Sequence, residues 1–464
     1  MADAVALKVW TDTECVATIT HEPRHDVWRL EYSQEWRGKF DNFALSPSLP
    51  VPDTREPSLV YDAGAVKRFL ENLLPEGSVL DAIAASQYIS RNCVFGLLCA
   101  IGAETTGAFR FLPVDEHATS PAAWLPRPIT MRELSDRVVS QQTRPLLDWD
   151  GKIHMSIAGT QQKLPVHVHE GVNGVGAYLF LPEYPLASTH IFKPQPSDLE
   201  HLVINEHFCM SLARMMQLPV ADAGVLRIPE LVLTVRRFDR QLAFSGTDGT
   251  SWKHMYANDY LCQVSRRHII DACQACDFPL SMKYERNFGR SRHVAHIREG
   301  MSLPRLFKVA SRHAVAPAVT KKALVQWVLF QLLIGNYEAH GKNFSFYMTS
   351  AGLAPAPWYD LVSVAQYPTR SHEMAMAIGD AFVIKDVSAL ELAKFAARCD
   401  IEPGFLSREA RRLCALASKT AQPLLDAMPY LPDERDFAQG IVDLVRQQAI
   451  WLMRLTERIF QVPA

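Results

Sequence analysis

The longest apolar run of the chain, Val325–Ile334, is only ten residues long and leads directly into a polar segment. A helix that crosses a bilayer needs about 20 predominantly apolar residues, so this run is too short to span one. A short and almost wholly apolar helix is instead typical of the middle of a globular lobe. The run therefore predicts a helix-rich lobe built around this segment, and we expect no membrane partner.

The composition limits the class of protein further. Of 464 residues, 48% are apolar and 21% charged, with a net charge of -2, which argues against a polycationic nucleic-acid-binding chain. The nine cysteines are scattered along the chain and odd in number, as expected for free or buried thiols in a reducing compartment. The first residues, MADAVALKVWTDTE, lack the basic and apolar regions of a signal peptide, so we expect a cytoplasmic protein.

The succession of strand and helix patterns predicts four regions. Residues 1–113 form an N-terminal subdomain that begins with two alternating strands, and the proline-containing segment 114–150 is expected to be a connector. Residues 151–255 are rich in strand patterns, whereas 256–464 form a helical lobe. The fold class is therefore α+β, with a cleft between two lobes where a ligand is expected to bind.

Three local predictions complete the description of the fold. Leu45–Pro50 is expected to be extended, because a proline disfavours the helical conformation in the residue before it. Ile83–Leu98 is expected to be mainly helical. Glu206–Met216 is expected to be a helix that begins at Glu206, because its apolar residues recur at helical spacing.

The polar segment after the apolar run carries the strongest indication of chemistry. Glu338 is followed five positions later by Asn343, the spacing that protein kinases use for a carboxylate that accepts the substrate hydroxyl proton and an asparagine that holds magnesium. Asp360 follows seventeen residues after Asn343. Magnesium prefers oxygen ligands, so Asn343 and Asp360 are the candidate metal ligands.

A second set of residues is suited to phosphate binding. The segment Ser156–Lys163, SIAGTQQK, combines small residues that allow backbone N–H groups to approach phosphates with a lysine charge. Lys193 ends a predicted strand and is a candidate point charge on a phosphate. Glu206 could form an ion pair with Lys193, as in kinases.

Together these motifs resemble the HipA family, the serine/threonine kinase toxins of bacterial toxin–antitoxin pairs. Four motifs carry the resemblance, namely Ser156–Lys163, Thr189–Lys193, Arg237–Arg240, and His340–Ser345 followed by Tyr359-Asp360. Supporting matches include Asn205-Glu206 and Lys283-Tyr284-Glu285. Each motif alone is weak, but they follow one another in the order of the family over nearly the whole chain.

The resemblance implies a two-lobed, protein-kinase-like fold with an extra N-terminal α/β subdomain and an all-helical C-lobe. It also implies phosphorylation of protein serine or threonine with ATP and Mg²⁺, aminoacyl-tRNA synthetases being targets in well-known members. The implied partners are a helix-turn-helix antitoxin of the HipB kind, through which the chain would meet DNA only indirectly, and a protein substrate.

By position, the resemblance also implies a role for individual residues. Ser156 corresponds to a serine that family members autophosphorylate, and a phosphoserine there would repel ATP phosphates. Glu338, Asn343 and Asp360 would be catalytic, and the last two would also hold the metal. The expected ATP-binding residues are Ala158, Gly159, Thr160, Gln161, Gln162, Lys163, Lys193, Arg236, Arg237, Phe238, His340, Gly341, Lys342, Asn343 and Asp360, with Arg236–Phe238 as the hinge strand beside the adenine.

Two positions depart from the family pattern, and the more consequential one is Glu338. Glu338 stands where the family has its catalytic aspartate, and its carboxylate lies about 1.5 Å further from the backbone. A misplacement of about 1 Å can cost about 100-fold in rate. The alternative is therefore an ATP-binding pseudokinase that serves as an antitoxin-binding and transcriptional co-repressor module. Arg236 also replaces an acidic residue of the family, which affects only local detail.

Structural interpretations of the same residues remain open at this stage. Glu338 could be a solvated loop acid, Asp360 a turn cap and Ser156 a turn residue. Lys193 could be a surface lysine, and Glu206 a first-turn acid favoured by the helix dipole. Cys273 and Cys276 with His293 and His296 suggest zinc, but buried cysteines are the preferred interpretation. The basic stretch Arg286–Arg298 is more typical of a solvated loop than of a nucleic-acid site.

Overall fold

The computed structural model describes residues 4–55, 59–115, 126–142, 145–150, 152–153, 159, 161–170, 177–183, 186–244, 261–289 and 291–462. The chain divides into two compact units. Unit 1 comprises residues 1–194, 226–270 and 348–350, and unit 2 comprises 195–225, 271–347 and 351–464.

Unit 1 begins with a four-stranded antiparallel sheet and a small helical layer. The elements are β1 Val5–Trp10, β2 Cys15–Glu22, β3 Val27–Tyr32, α1 Gln34–Arg37, α2 Ala63–Glu71, α3 Gly77–Ser86, α4 Val94–Ile101 and β4 Arg110–Pro113. The sheet order is β3-β2-β1-β4, and Leu7 pairs with Ile19 so that both side chains are buried. The two alternating strands that begin the chain are thus confirmed.

In this region one local prediction is wrong and another holds only in part. Leu45–Pro50 is not extended throughout, because Ser46 and Leu49 form an antiparallel bridge and the Leu49 N–H donates to the Ser46 carbonyl at 3.0 Å. The prolines permit this tight turn as well as an extended strand. Ile83–Leu98 is interrupted, since α3 ends at Ser86 and α4 begins only at Val94.

The second part of unit 1 contains a six-stranded sheet and several further short strands. Its elements are β5 Pro128–Ile129, α5 Met131–Val139, β6 Asp148–Trp149, β7 Lys152–Ile153, β8 Leu164–Glu170, β9 Ala177–Phe180, β10 His190–Pro194, β11 Ala223–Arg227, β12 Leu231–Arg236, β13 Arg240–Phe244, β14 Leu261–Arg266 and β15 Ile269–Asp271. The order β11-β12-β10-β8-β9-β5 gives β10 a partner on both sides. This arrangement places Lys193 on an interior strand.

The segment interpreted as a connector is structured where it is described. Thr130 and Glu133 form a capping box that begins α5, and β5 pairs with β9. Leu134, Val138 and Trp149 are buried in the same core cluster as the sheet strands. This region therefore closes one edge of the sheet.

Unit 2 is dominated by long helices. The elements that lie wholly or mainly in unit 2 are α6 Leu202–Met215, α7 Ala272–Ala275, α8 Leu303–His313, α9 Pro317–Ile334, β16 Ser345–Thr349, β17 Gly352–Pro355, β18 Glu373–Ile378, β19 Ala381–Val383, α10 Ala389–Arg398, α11 Pro403–Ala427 and α12 Pro432–Arg458. Every residue of α9 from Ala323 to Ile334 is buried, as its apolar run predicts. The lobe also contains short strands, and the expected start of α6 at Glu206 is wrong because the helix begins at Leu202. None of the described helices combines the length and apolar character that a bilayer-spanning segment requires.

Candidate active site

The polar segment after α9 folds back on the end of that helix. Gly335 has a φ of +64° and ends α9 in the left-handed conformation, which costs glycine no Cβ clash. Asn336 then donates from Nδ2 to Gln331 Oε1 at 2.8 Å and accepts from the Glu338 N–H at 3.1 Å. These bonds hold the buried Asn336 amide and fix the backbone at Glu338.

Glu338 is half-buried, and both its side chain and its backbone are engaged. The Tyr284 hydroxyl donates to Glu338 Oε2 at 2.5 Å, and the Asn343 Nδ2 donates to the Glu338 carbonyl at 2.9 Å. The candidate base and the candidate metal ligand are therefore held in one loop. The alternative of a solvated loop acid at Glu338 is not supported by these contacts.

The donors available in this loop fit a magnesium–phosphate site. Because Asn343 uses Nδ2 to bind the Glu338 carbonyl, its Oδ1 remains as an oxygen ligand to which no described residue donates. Asp360 adds a carboxylate, and its φ of +52° is uncommon for a residue with a Cβ and is found at functional sites. Magnesium accepts such oxygen ligands together with phosphate oxygens.

Tyr359 connects the loop of Asn343 to the loop of Asp360. Its single hydroxyl proton is donated to the Lys342 carbonyl at 2.6 Å, so in the 2.7 Å contact with Ser345 Oγ the serine is the donor. Burial raises the pKa of Tyr359 well above its ordinary value, which keeps this proton in place. Because Tyr359 precedes Asp360 and Lys342 precedes Asn343, this bond ties the two candidate metal ligands together.

His340 is uncharged in this environment. Burial lowers the pKa of His340 well below its ordinary value, and the nearby charges of Lys283 and Lys342 lower it further. Its Nδ1 accepts from the Lys342 N–H at 3.3 Å, so the ring proton resides on Nε2. His340 thus offers a hydrogen-bond donor rather than a positive charge.

Gly341 and Lys342, both expected to contact ATP, have structural roles. A Cβ at Gly341 would lie 2.6 Å from Met301 Cγ and 2.7 Å from Cys273 Sγ, so only glycine fits. The Lys342 ammonium pairs with Asp271 Oδ2 at 2.5 Å, and both side chains are largely buried. The same Asp271 carboxylate begins α7 by accepting from the Gln274 N–H. The charge of Lys342 is therefore directed to the protein interior.

Lys193 and Glu206 are both buried, each within its own unit. Lys193, in unit 1, is 4% exposed and pairs with Leu233 across β10 and β12, so the alternative of a surface lysine is wrong. Glu206, in unit 2, is 2% exposed and lies beyond the first turn of α6, so the alternative of a first-turn acid is also wrong. The ion pair between them stays a prediction.

The candidate phosphate loop is described only in part. Ser156, Ala158 and Thr160 lie outside the described residues. Gly159 has a φ of +125° and its carbonyl accepts from the Glu76 N–H at 3.1 Å. Gln162 Oε1 accepts from the Leu146 N–H at 3.3 Å. Gln161, Gln162 and Lys163 are half-buried and lead into β8.

The three residues of the expected hinge strand differ in their burial. Arg236 is exposed and Phe238 is half-buried. Arg237 is buried, its N–H donates to the Thr189 carbonyl at 2.8 Å, and its guanidinium pairs with Asp239 at 2.6 Å. The Arg237 side chain and its backbone N–H are therefore both occupied within the protein.

Arg237 belongs to a buried network of charges within unit 1. Glu104 accepts from Arg237, Arg240 and Arg266, and the Gly107 N–H donates to Asp239 at 2.9 Å. Burial alone would raise the pKa of Asp239, but Arg237 and Arg240 lower it to about 2. The network joins the N-terminal sheet region to the six-stranded sheet.

The remaining sequence motifs have structural explanations where they are described. Cys273 is buried, and burial raises the pKa of the Cys276 thiol to about 12, as expected for cysteines that are not metal ligands. No group of three His, Cys, Asp or Glu side chains in the described ranges is arranged to hold a metal ion. In the basic stretch, Arg298 pairs with Glu285 and Asp380.

Sequence reasoning gave no role to three residues that organise this site. Tyr284 and Tyr359 appeared only as parts of family motifs, and Asp271 not at all. Each acts through a contact with a residue distant in the sequence or on another loop. The only signal in the sequence was the position of a tyrosine, Tyr359, directly before Asp360.

Two family models match this chain. The sequence model of the HipA-like C-terminal domain matches residues 155–424, more than half of the chain, and that of the HipA N-terminal domain matches residues 7–112. This chain belongs to the HipA family.

Individual HipA relatives are similar over nearly their whole length. This chain is 35% identical over 438 residues to the serine/threonine-protein kinase toxin HipA of Shewanella oneidensis. The matched region covers 94% of this chain and 93% of the relative. It is 30% identical over 422 residues to the putative kinase Y4mE of Sinorhizobium fredii, which covers 90% of each chain.

A solved structure shows the same fold. The Shewanella oneidensis MR-1 HipA, determined in complex with HipB and operator DNA, matches with a TM-score of 0.82 and 33% identity, over 99% of this chain and 100% of that one. The expected α+β HipA fold, compatible with a kinase, is confirmed.

Proposed function

We propose that this chain is a protein serine/threonine kinase of the HipA type that uses ATP and Mg²⁺. The observation that carries the proposal is the hydrogen bond from Asn343 Nδ2 to the Glu338 carbonyl, at 2.9 Å. It holds a carboxylate and a metal-ligating amide in the relative order that kinases require.

The residues of unit 2 have distinct roles in this proposal. Glu338 orients the substrate hydroxyl and accepts its proton as the phosphoryl group is transferred. Asn343 Oδ1 and the Asp360 carboxylate hold magnesium, which when bound neutralises charge on the phosphates. The neutral His340 donates a hydrogen bond from Nε2 to a phosphate oxygen.

The residues of unit 1 provide phosphate and base contacts. Lys193 supplies positive charge to the phosphates from an interior strand, and the segment Ala158–Lys163 covers them. The backbone of Arg236–Phe238 lies beside the adenine. Ser156, two residues before this segment, is the autophosphorylation site, and its phosphate would repel the nucleotide from the same loop.

The partners follow from the HipA relatives. The Shewanella oneidensis HipA was solved with HipB and operator DNA. We propose that a helix-turn-helix antitoxin of the HipB kind restrains this chain and brings it to DNA indirectly. The substrate is a cellular protein, for which an aminoacyl-tRNA synthetase is the first candidate.

The second candidate function is an ATP-binding pseudokinase that acts as an antitoxin-binding module. The observation that favours it is Glu338 itself, whose carboxylate is about 1.5 Å further from the backbone than that of aspartate. In this case the chain would bind Mg-ATP without transferring phosphate.

A comparison of wild type with Glu338→Asp separates the two functions. Both proteins are incubated with γ-labelled ATP and Mg²⁺, transferred phosphate is counted, and ATP affinity is measured by calorimetry. A kinase transfers label in the wild type. Tight ATP binding without transfer, restored by Glu338→Asp, would establish the pseudokinase instead.

A further inference from the structure

The Glu338 carboxylate has one specific neighbour. Among the described residues, only the Tyr284 hydroxyl donates to it, at 2.5 Å from Oε2. Oε1 accepts no hydrogen bond from the described residues. A carboxylate fixed at one oxygen presents the other to a substrate hydroxyl.

The backbone around Tyr284 is fixed on both sides. The Lys283 carbonyl accepts from the Gly341 N–H at 3.0 Å, and the Glu285 N–H donates to the Ala375 carbonyl at 3.0 Å. The Glu285 carboxylate is buried and pairs with Arg298. The phenol is therefore presented to Glu338 from a rigid segment.

The ring of Tyr284 is also held in place. It packs edge-on against His340, with 5.1 Å between ring centroids and an interplanar angle of 84°. His340 lies in the same loop as Glu338, so the ring and the hydroxyl of Tyr284 contact one loop at two points. These two contacts together fix the direction of the Tyr284 hydroxyl as well as its distance from the Glu338 carboxylate.

A glutamate at this position needs such support more than an aspartate does. Its side chain has one more rotatable bond, and its carboxylate can occupy more positions. Catalytic groups must be held within about 0.5 Å of the productive geometry. The contact with Tyr284 removes this freedom in the present chain.

We propose, on the basis of the kinase function above, that Tyr284 is a positioning residue that fixes the Glu338 carboxylate for proton acceptance. Its hydroxyl offsets the extra methylene of the glutamate. In a Glu338→Asp protein the carboxylate would withdraw by about 1.5 Å, beyond the reach of this hydroxyl. The effect of Tyr284 on catalysis should therefore depend on the glutamate.

The test is a double-mutant cycle with wild type, Tyr284→Phe, Glu338→Asp and the double variant. Phosphate transfer to protein is followed with γ-labelled ATP, and kcat and the KM for ATP are determined for each. We expect Tyr284→Phe to lower kcat about 10- to 100-fold in the wild type, with KM changed by less than about twofold. In the Glu338→Asp background the same substitution should change kcat by less than about twofold.

Tyr61→Phe is the matched control, because it removes a hydroxyl that donates to the Pro50 carbonyl at 2.6 Å in the N-terminal region. It should leave kcat unchanged. Equal losses from Tyr284→Phe in both backgrounds, or no loss in the wild type, would overturn the positioning role. A parallel loss of ATP affinity by calorimetry would show a purely structural role and overturn it as well. A wild type that transfers no phosphate would instead refute the proposed function, and the inference with it.

Discussion

The Tyr359 hydroxyl is a single group on which two loops depend. It donates to the Lys342 carbonyl at 2.6 Å and accepts from Ser345, and it stands beside Asp360. The loops that carry Asn343 and Asp360 must be ordered if these two residues are to share one metal ion. A change confined to this oxygen therefore reports on the proposed metal site without altering either of the proposed ligands.

We expect Tyr359→Phe to lower Mg-ATP affinity about tenfold and to destabilise the protein by about 1–3 kcal/mol, because it leaves a buried carbonyl without its donor. Calorimetric titration and urea unfolding measure the two effects. Tyr88→Phe is the control, since Tyr88 is 98% exposed. Unchanged affinity and stability in Tyr359→Phe would show that the hydrogen bond from Tyr359 to the Lys342 carbonyl has no role.

At the scale of elements, Arg236 is the last residue of β12, and Arg237, which follows it, has a different environment. Arg237 is buried in the charge network, whereas Arg236 is exposed. Removal of one partner from a buried ion pair typically costs 3–5 kcal/mol, because the other charges remain buried. The network therefore joins the N-terminal sheet region firmly to the six-stranded sheet.

We expect Arg237→Ala to lower the free energy of unfolding by about 3–5 kcal/mol, and Arg236→Ala by less than about 0.5 kcal/mol. Urea unfolding followed by circular dichroism provides the measurement. Equal effects of the two substitutions would contradict the network as described.

The same network predicts a dependence of stability on pH. Burial would raise the pKa of Glu104, but Arg266, Arg240 and Arg237 hold it well below its ordinary value, and the pKa of Asp239 is lowered to about 2. Because the folded-state pKa values lie below those of the unfolded chain, about 4, the stabilisation is complete above about pH 5 and declines as the pH falls towards about 2.

The difference in unfolding free energy between wild type and Arg237→Ala should therefore be largest near pH 7 and should shrink at about pH 3. Unfolding at a series of pH values measures it. A difference that stays constant down to about pH 3 would contradict the depressed pKa values.

At the scale of the whole molecule, patterns local in sequence were predictable. Alternation placed β1 and β2, and the apolar run placed α9. The spacing of Glu338 and Asn343 indicated a loop that holds both groups. These predictions rest on the period of a helix or strand and on neighbours in one loop.

Features that depend on distant contacts were not predictable. Tyr284 is 54 residues from Glu338, and Asp271 is 71 residues from Lys342, so no local pattern connects them. For the same reason Lys342 was taken as a phosphate ligand, although its charge is paired with Asp271. In the segment 114–150, whose role as a connector stays a prediction, the prolines obscured the described apolar residues that pack on the sheet.

The central claim is that Asn343 and Asp360 support Mg²⁺-dependent phosphate transfer from ATP. Its most direct test is the incorporation of labelled phosphate by wild type, Asp360→Asn and the control Asp386→Asn, whose aspartate is exposed. The proposal predicts transfer by wild type and by Asp386→Asn that requires Mg²⁺, and a loss of at least about 100-fold in Asp360→Asn. Undiminished transfer by Asp360→Asn, or transfer independent of Mg²⁺, would contradict it.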